Sequence, residues 1–213
     1  MSRMTDPRMV PDSSAFPEPN TVPEPVEGLR DEPAPVEVVA NDLVYGGMVW
    51  DVRRERFRYG DAEIVREFVA HPGASAIVAL DDQERVLLIQ QYRHPIRLRD
   101  WEIPAGLLDI AGESPLETAR RELAEEADLV AAEWEPLVSI FTTPGGNDEV
   151  VHLFLARGLT AASEAHAREA EEADIRIEWV PLADVITGVL EGRLRNGILS
   201  VGVLAAAEKL RRS

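Results

Sequence analysis

A helix with a well-defined start constrains this chain more than any other segment. Ser114 is a suitable N-cap, Pro115 stands at the first helical position, and Glu117 completes an S-x-x-E capping box. Apolar residues then recur at helical spacing and predict a buried stripe made of Leu116, Ala119, Leu123 and Ala127. The sequence therefore predicts an amphipathic helix from Pro115 to about Ala127.

The same helix carries three closely spaced glutamates. At about 100° per residue, Glu122, Glu125 and Glu126 fall within an arc of roughly 100°, which we place opposite the apolar stripe. Carboxylates at this spacing repel one another unless a positive charge offsets them. The group is either a solvated acidic face or a site for a hard cation such as Mg²⁺. The preceding glycine-containing loop favours the cation site, because such a loop can bring a backbone carbonyl to the same ion.

Composition limits the remaining possibilities. The 213 residues allow one sizeable domain with at most a small appendage, and the absence of cysteine excludes thiolate catalysis and cysteine-ligated metals. A formal charge of −17 disfavours binding to nucleic acid or to an anionic membrane. Because we find neither a membrane-spanning apolar run nor a secretory signal, we expect a cytoplasmic location.

Three regions follow one another along the chain. Residues 1–36 hold eight of the fifteen prolines and predict a disordered, Pro/Glu-rich tail. Residues 37–70 are expected to form a small N-terminal antiparallel sheet, and residues 71–213 the main domain. The predicted strand runs are Val36–Val39, Leu43–Val52, Arg54–Tyr59, Glu63–Ala70, Ala74–Leu80, Arg85–Tyr92, Trp134–Phe141, Val150–Ala156 and Ile175–Val180.

Connections and helices complete this prediction. Asp81–Glu84 is interpreted as the turn of a hairpin, and Arg93–Ile110 as an irregular stretch. Ser163–Asp174 is either a loop or a marginal helix. Pro181 begins one helix, and Asn196 caps a last helix that ends near Arg212. Strands and helices without regular alternation favour a mixed sheet with helices on its faces.

The segment from Gly106 to Leu129 resembles the Nudix signature, G-x5-E-x7-R-E-U-x-E-E-x-G-U, where U is aliphatic. The residues in register with it are Glu113, Arg121, Glu122, Leu123, Glu125, Glu126 and Leu129. Six residues rather than five separate Gly106 from Glu113, and Asp128 replaces the second glycine. The extra residue precedes the helix, and aspartate can adopt the left-handed conformation that ends a helix. Neither departure removes a catalytic group.

Three further segments resemble the ADP-ribose pyrophosphatase branch of this superfamily, namely Gln91–Pro95, Trp101–Gly106 and Pro144–Glu149. The resemblance implies an α/β/α sandwich and hydrolysis of ADP-ribose to AMP and ribose 5-phosphate. It implies Mg²⁺ as cofactor, with Mn²⁺ as a substitute. The same chemistry on another nucleotide sugar or dinucleotide is the alternative. A non-catalytic nucleotide-binding sensor is a second alternative, which would be expected to lack one of the helix glutamates.

The resemblance also implies roles for single residues. Glu122, Glu125, Glu126 and the carbonyl of Ala105 are expected to hold the metal. Arg121 is expected to orient a helix glutamate, and Glu113 to support the cluster from the loop. For the general base we select Glu149, which lies in a flexible-looking Gly-Gly loop suited to closing over substrate. Asp148 and Glu126 compete with it for that role.

Substrate contacts are expected from basic and aromatic residues. Arg93, Arg97 and Arg99 form a dense basic cluster where a diphosphate needs counter-charge, and Arg93 is the strongest candidate. In this branch the N-terminal sheet often forms a homodimer, so Arg54, with its neighbours Arg53 and Arg56, is expected to reach the partner's site. Trp50 or Phe57 is a candidate for stacking on adenine, although strand aromatics more often pack in a core or interface. His94 is interpreted as structural.

Overall fold

The main strands and helices belong to one unit that begins at Glu37. The structure, a computed structural model, describes residues 28–163 and 175–212. The predicted tail at residues 1–36 lies mostly outside the described residues, and so does all but the first residue of the predicted connector Ser163–Asp174. No helix among the described residues is both long enough and apolar enough to cross a membrane.

The described residues from Glu37 onward contain ten strands and three helices. The strands are β1 Glu37–Gly46, β2 Asp51–Tyr59, β3 Ala62–Ala70, β4 Ala74–Ala79, β5 Arg85–Arg93, β6 Leu98–Glu102, β7 Ala105–Leu107, β8 Leu129–Phe141, β9 Val150–Ala161 and β10 Arg176–Pro181. The helices are α1 Pro115–Ala127, α2 Leu182–Leu190 and α3 Gly197–Arg212.

These strands form three sheets. The first has the order β1-β2-β3 and is antiparallel, as predicted for the N-terminal segment. The second has the order β10-β5-β6 and the third β7-β4-β9-β8. In the third sheet β4 runs parallel to β9, whereas its other pairs are antiparallel. The predicted mixed sheet is therefore confirmed.

Strand β4 lies between two layers of helices and is buried on both faces. Its residues Ala76 and Val78 belong to the core that includes Leu199 and Val203 of α3. The alternate residue Ile77 packs in a second core with Leu123 of α1. Because successive side chains of a strand point to opposite faces, α1 covers one side of the sheet and α3 the other. This arrangement is the predicted α/β/α sandwich.

The predicted hairpin at Asp81–Glu84 is only partly correct. The turn is present, since the Asp81 N–H donates to the Arg85 carbonyl at 3.0 Å. The strands that it joins separate into different sheets, however, and only a bridge between Leu80 and Val86 links them. A turn signal reports the reversal of the chain but not the partner of each strand.

Two other assignments of local structure were wrong. Arg93–Ile110 was predicted to be irregular but contains β6 and β7, which are too short to give a periodic pattern. The predicted break near Arg53 lies instead between Gly46 and Asp51. One strand, β1, therefore covers most of Val36–Val39 and the first part of Leu43–Val52, and the last part of Leu43–Val52 belongs to β2. The register of β1 shifts twice against β2, which explains the interrupted pattern in the sequence.

Helix α1 begins and ends as predicted. The Ser114 hydroxyl accepts a hydrogen bond from the Glu117 N–H at 3.3 Å, and the Glu117 carboxylate accepts from the Ser114 N–H at 2.7 Å. The Ser114 hydroxyl also donates to the Glu117 carboxylate, at 2.7 Å, and the two bonds donated by Ser114 hold the pKa of Glu117 below its ordinary value. At the other end Asp128 is left-handed, with φ of 54°, and its N–H donates to the Ala124 carbonyl. The left-handed conformation expected for Asp128 is therefore confirmed.

Candidate active site

Many of the predicted site residues lie on or beside strands of the third sheet, at one end of that sheet. Ala74, at the start of β4, pairs with Leu107 near the end of β7 and with Val151 near the start of β9. Phe141, at the end of β8, pairs with Val150. The loop after β7 and the loop between β8 and β9 therefore leave the sheet at the same end. This register brings Gly106 and Glu149 to a common region.

Glu126 does not lie opposite the apolar stripe, as predicted, but beside it. Seven residues are almost two helical turns, so Glu126 projects close to the direction of Ala119. Its side chain is buried, and its Oε2 accepts a hydrogen bond from the backbone N–H of Ala105 at 2.9 Å. A buried carboxylate is thus held against β7 by the main chain.

Glu122 approaches the same strand closely at Gly106. A Cβ atom added to Gly106 would lie 1.9 Å from the Glu122 carboxyl carbon. Only glycine leaves room for the carboxylate in this position. Gly106 therefore serves a side-chain contact with α1, a role that the signature alone does not explain.

Arg121 gathers three carboxylates. It donates to both oxygens of Glu113, at 3.3 and 3.2 Å, and also contacts Glu122 at 2.5 Å and Glu125 at 3.1 Å. Its hydrogen bond is the main reason that the pKa of Glu113 lies below its ordinary value. Burial by itself lowers the pKa of Arg121, but Glu113 and Glu122 raise it overall. The predicted ion pair between Arg121 and a helix glutamate is present.

A second ion pair lies beside this cluster and was not predicted. Arg93 donates to both oxygens of the buried Glu102, at 2.7 and 2.6 Å. Hydrogen bonding to Glu102 raises the pKa of Arg93 above its ordinary value. The guanidinium that we assigned to the substrate is therefore engaged with a carboxylate of its own chain. A charged residue between Trp101 and Ile103 is the signal in the sequence that could have indicated a buried role for Glu102.

The carboxylates of this region outnumber its guanidinium groups. Glu102, Glu113, Glu122, Glu125 and Glu126 are five carboxylates around Arg93 and Arg121. In the described part of the chain, no three acidic or histidine side chains already stand in metal-binding geometry. The Arg121 guanidinium contacts both Glu122 and Glu125. The oxygen donors and the excess negative charge nevertheless suit a hard divalent cation.

The loop between β8 and β9 is fastened at both its backbone and its side chains. The Val69 N–H, near the end of β3, donates to the Gly146 carbonyl at 3.0 Å, and the Asp148 N–H donates to the Val69 carbonyl at 3.3 Å. Asp148 Oδ1 in turn accepts from the His71 N–H at 2.8 Å. The sequence suggested a flexible loop, but these contacts tie it to the N-terminal sheet.

Glu149 has a close neighbour at each carboxylate oxygen, and one of the two contacts is a hydrogen bond. Its Oε2 accepts a hydrogen bond from the Thr142 hydroxyl at 2.5 Å, and its Oε1 lies 3.5 Å from Nδ1 of His71. The His71 ring lies against Trp50, with ring centroids 5.6 Å apart. Thr142 and His71 were missed, because neither residue stands in a recognisable motif.

The remaining predicted substrate contacts are dispersed. Arg54 donates two hydrogen bonds to Glu67 across the β2–β3 pair, so it is engaged within its own sheet. Trp50, a candidate for adenine stacking, packs on His71 instead. Arg99 is exposed in β6, where it pairs in register with Tyr92. Among the described residues, Arg54, Trp50 and Arg99 thus each have a different neighbour, namely Glu67, His71 and Tyr92.

The sequence pattern of the NUDIX domain matches residues 69–198, which include α1, β7 and the loop between β8 and β9. The chain belongs to the Nudix hydrolase family. Its membership makes it an enzyme of the hydrolase class, and hydrolases of this family generally need a divalent metal.

Relatives and a solved structure agree with this membership. The chain is 44% identical over 170 residues to an ADP-ribose pyrophosphatase of Mycobacterium tuberculosis, covering 79% of this chain and 82% of the relative. It is 36% identical over 148 residues to a methanol dehydrogenase activator of Bacillus methanolicus, covering 68% and 79%. A crystal structure of an ADP compounds hydrolase superimposes with a TM-score of 0.71 at 19% identity, covering 86% and 98%, and shows the same fold.

Gly106→Ala tests the contact with Glu122. The added methyl group displaces the flexible end of the Glu122 side chain, so we expect the metal concentration for half-maximal activity to rise at least about tenfold. The thermal unfolding midpoint should fall by no more than a few degrees. A titration of activity against divalent metal, with a melting curve, measures both effects.

Gly197→Ala is the matched control, because a Cβ atom at Gly197 meets open space. An unchanged metal titration for Gly106→Ala would show that the close approach of Glu122 has no functional role.

Proposed function

We propose that this Nudix hydrolase cleaves the diphosphate bond of ADP-ribose and releases AMP and ribose 5-phosphate, with Mg²⁺ as its metal and Mn²⁺ as a substitute. The observation that carries the hydrolytic part is the buried Glu126 carboxylate beside Glu122, at the end of the sheet where Glu149 also lies. The similarity to an ADP-ribose pyrophosphatase over most of both chains supports the substrate.

The metal would be held by Glu122, Glu125, Glu126 and the carbonyl of Ala105. When bound, Mg²⁺ neutralises diphosphate charge and makes water easier to deprotonate. Arg121 holds Glu122 and Glu125 on one side of α1, and the Ala105 N–H fixes Glu126. Glu113 holds Arg121 in turn, which is its supporting role.

Glu149 is the proposed general base. It takes a proton as water attacks one phosphorus, and the bridging P–O bond breaks in line with that attack. Both competitors are held by backbone N–H groups, whereas the hydrogen bond to Glu149 comes from the Thr142 side chain. Asp148 is engaged by the His71 N–H, and Glu126 is buried against the Ala105 N–H.

Arg93 and Arg99 are proposed to face the diphosphate, although Arg93 also fixes Glu102. The same chemistry on another nucleotide sugar or dinucleotide is the second candidate. A relative at 36% identity carries a name other than ADP-ribose pyrophosphatase, that of a methanol dehydrogenase activator. Loops that contact base and sugar vary independently of the fold, so similarity of this degree does not define the substrate.

We also propose that the chain acts in the cytoplasm as a homodimer formed through residues 37–70. The support is the exposed apolar surface of this sheet, where Leu43 is 56% exposed and Tyr45 66%. In such a dimer Arg54 and Trp50 would approach the site of the partner. Sedimentation velocity is expected to give one species of twice the chain mass. A single species of one chain mass at micromolar concentration would contradict the dimer.

A substrate panel with Mg²⁺ tests the specificity. The compounds are ADP-ribose, ADP-glucose, GDP-mannose, NADH, a diadenosine polyphosphate and 8-oxo-dGTP. We expect the highest kcat/KM for ADP-ribose, and no turnover by the Glu125→Gln/Glu126→Gln variant, because that variant loses two carboxylate ligands. A higher kcat/KM for another compound would move the proposal to the second candidate.

Glu149→Gln tests the base. Because the amide accepts no proton, kcat should fall by a factor on the order of 10² or more, with little change in the metal titration. Asp148→Asn is the matched variant, since its amide oxygen can still accept the hydrogen bond from the His71 N–H. We expect it to retain far more of the activity. Near-normal turnover by Glu149→Gln would refute the assignment.

A further inference from the structure

We propose that Thr142 is a positioning residue for the general base, an inference that rests on the proposed function. Its hydroxyl fixes the orientation of the Glu149 carboxylate before substrate arrives. The hydrogen bond between them is 2.5 Å long, and the Glu149 side chain is only 17% exposed.

The pairing of β8 with β9 brings these two side chains together. Phe141 is paired with Val150, so Thr142 leaves β8 opposite the point at which Glu149 enters β9. The distance between them therefore depends on the strand register and not on the path of the intervening loop. A base placed by a strand register is held more rigidly than one carried on a loop alone.

The Thr142 hydroxyl directs its proton to Glu149 and not to Asn147. Thr142 Oγ1 lies 3.4 Å from Asn147 Oδ1 but 2.5 Å from Glu149 Oε2. A hydroxyl has one proton to donate, and the shorter contact assigns it to Glu149. The Asn147 amide can then donate to Thr142 Oγ1, at 3.3 Å. Asn147 thus donates to Thr142, and Thr142 donates to the Glu149 carboxylate.

His71 limits the carboxylate on its other side. Its Nδ1 accepts a hydrogen bond from the Gly73 N–H at 3.1 Å, and its side chain is 8% exposed. The ring is thus fixed by the backbone and by contact with Trp50. Because its edge lies beside Oε1, Glu149 has little room to turn away from Thr142.

The consequence is kinetic. A glutamate has several side-chain torsions, and an untethered carboxylate must find its reactive orientation in each turnover. Loss of the Thr142 hydroxyl should therefore lower kcat and leave KM unchanged, because in this proposal Thr142 acts on Glu149 and not on the substrate. Weakened packing would instead lower the unfolding midpoint.

The test compares Thr142→Val with Thr142→Ser in the full chain with Mg²⁺. Valine removes the hydroxyl at nearly constant shape, and we expect kcat to fall roughly 10- to 100-fold, with KM within about twofold. Serine restores the hydroxyl and should recover most of this loss. Should the valine variant be unstable, Thr142→Ala removes the same group. A normal kcat without the hydroxyl would overturn the proposal.

Thr143→Val is the loop control, because the Thr143 hydroxyl contacts Asn147 and not Glu149. We expect it to change kcat much less than Thr142→Val. An equal loss in both variants would mean general loosening of the loop and would overturn the proposal.

Glu149→Gln separates this inference from the assignment of the base. If Thr142 acts through Glu149, Thr142→Val should cause no further loss in the Glu149→Gln background. The same loss in both backgrounds would overturn the positioning role. A near-normal Glu149→Gln enzyme means that the proposed base is wrong. An impaired Glu149→Gln enzyme with a normal Thr142→Val enzyme means that the positioning alone is wrong.

Discussion

The hydrogen bond from the Ala105 amide to the Glu126 carboxylate joins α1 to β7, and the arrangement of the site depends on it. A carboxylate buried without a partner is costly, so this bond stabilises both the rotation of the helix and its distance from the strand. Glu122 then reaches Gly106, and Arg121 projects toward Glu113 and the outer glutamate, Glu125. One main-chain donor thereby orients a whole face of the helix.

Local signals in the sequence were sufficient for α1. Its cap, its first turn and its left-handed end at Asp128 depend on residues a few positions apart, and all were predicted correctly. The predicted position of Glu126, opposite the apolar stripe, was wrong. The buried face of the helix is wider than the arc that its apolar residues cover. The strands were harder to predict than α1. β6 and β7 are short, and the turn at Asp81–Glu84 gave no information about which partners β4 and β5 would find.

The same distinction applies to the candidate site. The acidic helix and its arginine follow a spacing that can be recognised without a structure. Glu102, His71 and Thr142 follow none, since each is brought to the site by a strand pairing between distant segments. The acidic partners of the basic residues were missed for a related reason. Arg93 and Arg54 stood out as positive charges, but their acidic partners become visible only when β6 and β3 are placed.

The parallel pairing of β4 with β9 has a consequence for synthesis of the chain. Ala74 and Val151 are adjacent in the sheet, but 77 positions separate them in the sequence. During translation β4, which is apolar on both faces, leaves the ribosome long before the strand that will shield one of its edges. Closing such a distant contact is entropically slow, and an unpaired apolar strand is prone to association in the interval. The central strand that gives the finished enzyme its rigidity is therefore also the segment most exposed to misassembly while the chain is incomplete.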